Sequence, residues 1–366
     1  MGFMRRVPAP TPTPSHPSEP SSVTLWSWGL NSNNVLGSGS TRSSPVQVGA
    51  STNWSTISTG NGDNGFAISK TGALYYWGGN ASGSLGNNSV ASVSSPTNNS
   101  VYGNLVSAGG THTLGLATDN ALYSWGANGG GRLGDNSTTN KSNAVLISSS
   151  TWTSISAGSD HSVGVRTNGT LWTWGTGTAG QLGLDATASK SSPTQVGTDT
   201  NWVKAVASAS FSLALKSNGT LWAWGNNTYG QLGDGTVTAK SSPTQVGVGT
   251  AWSNVSSCNR HVVGVQTNGS MWAWGYNGTG CLGNRDVNNI STPVQVSDND
   301  WREITAGSDF TVGIKFNGTL WAWGSNGAGQ IGDSTIIDKS SPVQIGAATN
   351  WYKAVAGSSH VIALRG

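Results

Sequence analysis

Residues 152–197 read WTSISAGSDHSVGVRTNGTLWTWGTGTAGQLGLDATASKSSPTQVG, and this stretch decides the fold because it is one unit of a repeat. It opens with two short runs whose apolar residues are two apart, a pattern typical of β-strands. Asn168-Gly169 then predicts a tight hairpin turn with positive φ at both residues. Residues 171–175 form a third strand, and Pro193 marks a fourth strand at an edge, where its missing N–H costs nothing.

The unit occurs seven times. Each copy contains a Trp-Gly pair, and successive pairs are 48 to 50 residues apart, at Trp28, Trp77, Trp125, Trp174, Trp224, Trp274 and Trp323. Four short antiparallel strands in about 50 residues make one propeller blade. We therefore predict an all-β fold, a seven-bladed β-propeller of four-stranded antiparallel blades.

One of the seven copies is divided between the two ends of the chain. Residues 24–29 supply a third strand without the two strands that should precede it, whereas residues 360–366 supply a second strand without the Asn-Gly turn that should follow. We expect these segments to pair, so that strands from both termini close the ring. The propeller would then span residues 23–366.

Residues 1–22 form a separate, Pro-rich segment that contains six of the 12 prolines of the chain. Such a run favours polyproline II and cannot bury a core. We expect this arm to anchor the propeller to a partner; a simple linker is the alternative. The candidate partner-binding residues of the arm are Arg5, Arg6, Pro8, Pro10, Pro12 and Pro14.

The order Ala-Gly-x-x-His, Asn-Gly-x-Leu-Trp-x-Trp-Gly, Gly-Gln-Leu-Gly and Ser-Ser-Pro-x-Gln-Val resembles the regulator of chromosome condensation repeat, best at 157–196 and 306–345. The resemblance covers residues 23–366 and implies the same closed seven-bladed propeller. The superfamily includes a nucleotide-exchange factor for a small GTPase, bacterial inhibitors of β-lactamases, and many bacterial and phage proteins. Since one fold serves many functions, the resemblance does not fix the role.

Composition excludes some classes of partner. Only 9% of the residues are charged and the net charge is +3, so the chain lacks the basic stripe that nucleic-acid binding requires. No stretch is long and apolar enough for membrane insertion. One basic position does recur before the fourth strand, and we expect it to form a cationic rim for an acidic partner or a solvated edge that blocks sheet pairing: Arg42, Lys141, Lys190, Lys240 and Lys339.

Other recurring residues predict structural roles. We expect His112, His161, His261 and His360 to bond the backbone of their own blades, with an axial metal or proton site as the alternative. Three aspartates that follow a Leu-Gly or Ile-Gly step are predicted to cap turns: Asp135, Asp234 and Asp333. Cys258 and Cys281 are expected to be free thiols, although a disulfide stays open.

We find no catalytic motif and expect no enzyme activity, no cofactor and no metal site. We also see no polar residue of the central channel that departs from the repeat. The sequence therefore predicts a structural or protein-binding propeller, most simply one displayed on a bacteriophage virion, held on capsid or tail proteins by residues 1–22 and able to contact the host surface. The alternative is a soluble regulator in the bacterial cytoplasm or outside the cell, either an enzyme inhibitor or a nucleotide-exchange factor for a small GTPase.

Overall fold

The computed structural model describes residues 20–99, 103–249, 251–297 and 300–366. In these residues 28 strands form seven sheets of four antiparallel strands each, and the sheets are the blades of one propeller. The predicted fold class is therefore confirmed. Two short 3-10 segments in the loops, Ser32–Asn34 and Gly129–Gly131, are the helical elements of the described residues.

The strands are numbered along the chain. The first two are β1 (Thr24–Gly29) and β2 (Arg42–Gln47). Blade 1 contains β3 (Trp54–Thr59), β4 (Asn64–Ser69), β5 (Leu74–Gly78) and β6 (Val93–Asn99). Blade 2 contains β7 (Leu105–Ala108), β8 (His112–Leu116), β9 (Leu122–Gly126) and β10 (Lys141–Ser148). Blade 3 contains β11 (Trp152–Ala157), β12 (His161–Arg166), β13 (Leu171–Gly175) and β14 (Lys190–Gln195).

The remaining blades follow the same order. Blade 4 contains β15 (Trp202–Ala207), β16 (Phe211–Lys216), β17 (Leu221–Gly225) and β18 (Lys240–Gln245). Blade 5 contains β19 (Trp252–Ser257), β20 (His261–Gln266), β21 (Met271–Gly275) and β22 (Ile290–Ser297). Blade 6 contains β23 (Trp301–Ala306), β24 (Phe310–Lys315), β25 (Leu320–Gly324) and β26 (Lys339–Gln344). Blade 7 begins with β27 (Trp351–Ala356) and β28 (His360–Arg365).

Blade 7 is completed by strands from the beginning of the chain. Its strand order is β2-β1-β28-β27, and β1 pairs with β28 from Thr24 opposite Arg365 to Gly29 opposite His360. The predicted closure of the ring by both termini is confirmed.

Each blade places its first strand innermost and its fourth strand at the outer edge, where Pro193 lies in β14. The loops that join the first strand to the second and the third strand to the fourth lie on one face of the ring, which we call the upper face. The hairpins between the second and third strands lie on the opposite, lower face.

The Asn-Gly hairpins differ from the predicted turn. The Gly169 N–H donates to the Arg166 carbonyl, and of the pair only Gly169 has positive φ, at 77°. Asn168 has another task, because its Oδ1 accepts hydrogen bonds from the backbone and hydroxyl of Thr170 at 3.2 and 2.7 Å. The prediction of positive φ at both residues is therefore wrong: the side chain of Asn168 fixes the turn, and Gly169 supplies the left-handed residue.

The Trp-Gly pairs join neighbouring blades. Their indoles are almost fully buried, and six of them donate Nε1–H to a carbonyl of the preceding blade, as Trp323 does to Cys281 at 2.9 Å. The glycine of each Gly-x-Leu-Gly or equivalent segment lies against such an indole. A Cβ on Gly283 would be 2.6 Å from Trp323 Nε1, so only glycine fits there.

Candidate functional site

A cluster of aromatic and charged side chains lies on the upper face, where blades 4, 5 and 6 meet. The rings of Tyr229 and Tyr276 are edge to face, with centroids 5.3 Å apart. The Arg260 guanidinium lies 4.0 Å from the centroid of Tyr276 and 5.5 Å from that of Tyr229. Its Nη2 also donates to both carboxylate oxygens of Asp309, at 2.8 and 2.6 Å.

Three of these four side chains depart from the repeat, whereas Asp309 has the same residue type as Asp160 and Asp63 in other copies. No other copy has an aromatic residue at the position of either tyrosine, and none has arginine at the position of Arg260. Both tyrosines and Arg260 are half-buried, so each still presents surface to a partner. Burial raises the pKa of Asp309, and the neighbouring Arg260 guanidinium opposes that rise. The ion pair with Arg260 therefore stabilises the charged form of the Asp309 carboxylate. Together with the two tyrosines, this pair forms an ordered surface that is partly apolar and partly charged.

Exposed apolar side chains lie on the same face of the same three blades. They stand in the loops between the third and fourth strands, and each is more than half exposed: Val237, Val287, Ile336 and Ile337. Scattered exposed apolar residues are ordinary, and one more, Val90, stands in the same loop of blade 1, but these four lie in the blades that carry the tyrosine cluster. We call the tyrosine cluster and these four residues the upper sector.

The predicted cationic rim lies on the upper face as well, at the start of each fourth strand. Three of its members are ion-paired to the aspartate of their own blade: Lys141 to Asp135 at 3.6 Å, Lys240 to Asp234 at 3.6 Å, and Lys339 to Asp333 at 3.3 Å. Arg42 Nη2 donates to the Ser38 carbonyl at 3.0 Å. Lys190 has no carboxylate within ion-pair distance in the described residues, because Leu184 takes the aspartate position in its blade.

The three aspartates cap their loops as predicted. Asp333 Oδ1 accepts hydrogen bonds from the backbone and hydroxyl of Thr335 at 3.0 and 2.7 Å and from Asn326 Nδ2 at 3.1 Å. Burial raises the pKa of this carboxyl, but the hydrogen bonds outweigh burial and lower it overall. What the sequence did not reveal is that each of these aspartates also neutralises a rim lysine.

The recurring histidines are structural, but their partners differ from the prediction. His112, His161 and His261 bond through Nε2 to a hydroxyl of the next blade, as His261 does to Thr311 at 2.9 Å. His360 bonds Thr59 across the closure at 2.7 Å. The predicted bond to the backbone of the same blade is therefore wrong. The described residues contain no group of three His, Cys, Asp or Glu side chains that could hold a metal.

Both cysteines are free and buried, so the thiol prediction is confirmed. Burial raises the pKa of Cys258 and of Cys281 to about 12, and their thiols are therefore protonated and poorly nucleophilic. Cys258 lies at the upper end of the axis, where it contacts Asn61 of blade 1. Cys281 Sγ bonds the Tyr276 carbonyl at 3.0 Å and so supports the loop of the upper sector.

The other candidate residues lie outside the described part of the chain. These are the arm residues Arg5, Arg6, Pro8, Pro10, Pro12 and Pro14. Among the described residues, no helix is long and apolar enough to cross a bilayer.

The upper sector could not be predicted from the sequence. Its residues come from three blades, and only the curvature of the ring brings Tyr229, Arg260 and Asp309 together. The available signal was the loss of the consensus residue at the positions of Tyr229, Arg260 and Tyr276 in blades 4 and 5.

Solved structures with this architecture share little sequence with the chain. Human WBSCR16 is 21% identical, with a TM-score of 0.81 over 94% of this chain and 99% of that chain. Prp20p from Saccharomyces cerevisiae is 18% identical, with a TM-score of 0.82 over 94% and 91% of the two chains. Yeast RCC1 (Prp20) in a complex with Kap60 is 17% identical, with a TM-score of 0.83 over 94% and 89%. Comparison with curated protein sequences gives no match.

The sequence itself matches a family model. The regulator of chromosome condensation (RCC1) repeat matches residues 24–62, 119–165, 168–215, 218–265, 268–314 and 317–364, and a second model of the same repeat adds 105–132. The first model alone covers more than half of the chain, and each of its last five matches runs from the third strand of one blade to the second strand of the next. The chain therefore belongs to the regulator of chromosome condensation (RCC1) repeat family.

Proposed function

We propose that this protein is a non-catalytic propeller that binds a protein partner through the upper sector. The observation that carries the proposal is the cluster of Tyr229, Arg260, Tyr276 and Asp309, because three of its four residues break the repeat where three blades meet. Tyrosine and arginine are the residue types enriched at the energetic centres of protein interfaces.

The cluster is also held in place before any partner arrives. Two hydrogen bonds to Asp309 and the face of Tyr276 fix the Arg260 guanidinium. A side chain that is already ordered loses little conformational entropy on binding, so more of its contact energy becomes affinity. The exposed Val237, Val287 and Ile336 would extend the contact with apolar area.

Propellers of this family generally act as binding or exchange proteins. Prp20p is described by its binding properties to Gsp1p and histones, and yeast RCC1 is seen bound to Kap60. These partners are proteins, which supports a protein partner here. Identity below 25% shows only a shared fold, so the partner of this chain is a separate question.

The test compares a double variant of the upper sector with a control variant on the same face, and all of the substitutions are to serine. The variant Arg260→Ser/Tyr276→Ser removes the cluster. The control Arg132→Ser removes another upper-face arginine, which pairs with Asp160 at 2.7 Å, outside the sector. With immobilised full-length protein and an extract of the native source, we expect the double variant to retain at least about tenfold less of the specific partner. Equal retention by wild type and the double variant would contradict the proposal.

The finer role that we propose is a propeller displayed on a bacteriophage virion and anchored to capsid or tail proteins by residues 1–22. It is supported by the Pro-rich arm and by the low charge and high Ser, Thr, Asn and Gly content of the chain. Deletion of residues 1–22 should release the protein from particles in a sedimentation experiment, with co-sedimenting chains identified by mass spectrometry. A full-length protein that sediments alone, near 37.4 kDa, would favour a soluble inhibitor or exchange factor instead.

A further inference from the structure

The axis of the ring holds a cavity of about 300 Å³, lined by the innermost strands of all seven blades. Much of its wall is joined by hydrogen bonds between blades. Hydroxyls of one blade accept from backbone N–H groups of the next, as Ser156 does from Ala207 at 2.9 Å and Thr305 does from Ala356 at 3.1 Å. These hydroxyls are therefore already partnered, and the wall is rigid.

The upper end of the cavity is closed by one side chain. Asn61 comes from blade 1, yet its Nδ2 donates to the Cys258 carbonyl of blade 5 at 2.7 Å and to Ser159 Oγ of blade 3 at 3.2 Å. Its Oδ1 accepts from Ser308 of blade 6 at 3.3 Å. Because these blades surround the axis, the amide spans the channel, and a ligand would enter from the lower end.

Three charged side chains stand near that lower end. They occupy one repeat position of the innermost strand, two residues after the position of the opening Trp, and the seven residues there are Thr56, Leu105, Ser154, Lys204, Asn254, Glu303 and Lys353. The expectation that no polar residue of the channel departs from the repeat is therefore wrong. The expectation was wrong because this position is polar in most copies, so the change from a neutral to a charged residue in three of them does not disturb the pattern.

The two lysines are held but have hydrogen-bonding capacity left. Lys204 Nζ donates to Asn254 Oδ1 and, at 3.3 Å, to the Val255 carbonyl, whereas Lys353 Nζ donates to Thr56 Oγ1 at 2.8 Å. An ammonium group has three N–H donors, so each lysine keeps at least one for a ligand. Burial lowers the pKa of Lys204 to about 8, which still leaves it largely protonated at neutral pH.

Glu303 is the group without a partner. Across the described residues its carboxylate receives no hydrogen bond and has no cation within 4 Å, and its half-buried side chain lines the cavity. Burial raises the pKa of this carboxyl, and Lys353, Arg302 and Lys204 oppose the rise. Because no protein group donates to this half-buried carboxylate, the cavity offers a ligand a free hydrogen-bond acceptor beside the two lysines.

We propose that this end of the cavity binds a small protonated oxyanion of the hydrogen-phosphate class. Lys204 and Lys353 donate to two of its oxygens, and its remaining P–OH donates to the Glu303 carboxylate. Two ammonium groups and one carboxylate leave one net positive charge in the site, which the dihydrogen form of the anion, H2PO4⁻, neutralises. Sulfate has the same size but no O–H at neutral pH, so Glu303 repels it and selects the protonated anion.

The test uses calorimetric titration of the full-length protein with sodium phosphate or sodium sulfate at pH 7. We expect phosphate to bind at least about tenfold more tightly than sulfate. Glu303→Gln is nearly isosteric and should abolish that preference, because an amide donates to sulfate and carries no charge. Lys204→Met/Lys353→Met should remove binding of both anions. The control Lys190→Met deletes a cation outside the cavity and should leave phosphate affinity unchanged.

Three results would overturn the proposal: no binding of phosphate, equal affinities for phosphate and sulfate in the wild type, or an unchanged preference in Glu303→Gln. The melting temperature of each variant shows whether a loss of binding reflects removal of the site or unfolding of the protein. O-phosphoserine titrated beside inorganic phosphate at pH 6, where about half of the ester still carries a P–OH, separates two sources of the anion. Stronger binding of O-phosphoserine assigns the cavity to a phosphorylated partner, whereas stronger binding of inorganic phosphate assigns it to the free ion, and both support the site.

Discussion

At the scale of single residues, the buried histidines couple stability to pH. Burial lowers the pKa of His161 and His261 to about 3 and that of His360 to about 4, so all three are neutral in the folded protein. In the unfolded chain a histidine titrates near 6.5. Between pH 6.5 and pH 3 the unfolded state therefore binds more protons, and stability falls as the pH falls.

The substitution His261→Phe should reduce this pH dependence. Phe211 and Phe310 occupy the equivalent position in other blades, so the fold accommodates the ring. At pH 7 the variant loses the hydrogen bond to Thr311, but between pH 7 and pH 5 its stability relative to wild type should rise by about 2 kcal/mol. Urea unfolding at both pH values measures this difference.

The control for that measurement is Thr311→Val, which removes the same hydrogen bond and keeps the histidine. It should lower stability at pH 7 and retain the full loss of stability on acidification. A relative stability of His261→Phe that stays constant from pH 7 to pH 5 would show that this histidine does not titrate on unfolding.

The sequence indicated the role of these histidines but not their partners. Recurrence at one position, with phenylalanine in two copies, marked them as buried and structural. The bond from His261 to Thr311 joins residues 50 apart in different blades, and only the packing of blade on blade brings them together. The periodicity shows which residues occupy equivalent positions. Hydrogen-bond partners in neighbouring blades depend on how the blades pack, which the sequence of one repeat does not show.

At the scale of the blade, contacts between neighbours depend on glycine. Gly283 has φ of +78°, and its absent side chain makes room for the Trp323 indole of the next blade. Trp323 in turn donates to the Cys281 carbonyl at 2.9 Å. A side chain at position 283 would therefore strain the backbone and push the indole away from its acceptor.

Gly283→Ala should lower the free energy of unfolding by roughly 2–4 kcal/mol, since positive φ and overpacking both act against it. The matched control is Gly197→Ala. Gly197 also has positive φ, at +59°, but has no atom within 4 Å of an added Cβ, so it should lose only about 1 kcal/mol. Urea unfolding of both variants separates the cost of backbone strain from the cost of the contact with the Trp323 indole. An equal decrease in the free energy of unfolding in both variants would mean that this contact contributes nothing.

At the scale of the whole molecule, the departures from the repeat that we describe lie in two places, the upper sector and the axial cavity. The repeat sets the number of blades, the buried tryptophans and the closure, and all of these could be predicted from 48- to 50-residue spacing. The upper sector and the axial charges could not, because each joins residues of several blades, and a departure from the repeat within one copy does not show which residues of other blades it meets. A ring with a rigid repeated frame can vary such residues freely, so we expect partner recognition where the repeat is broken.

The pairing of β1 with β28 also sets an order in time. Thr24 bonds the carbonyl of Arg365, a partner 341 residues away. At the usual pace of translation, β1 and β2 wait on the order of tens of seconds for β28 to emerge from the ribosome. During synthesis, six blades can form one by one while the seventh stays a half sheet with an unpaired edge. The ring therefore becomes whole in one late step, and a nascent chain interrupted before β28 leaves that edge open to other chains.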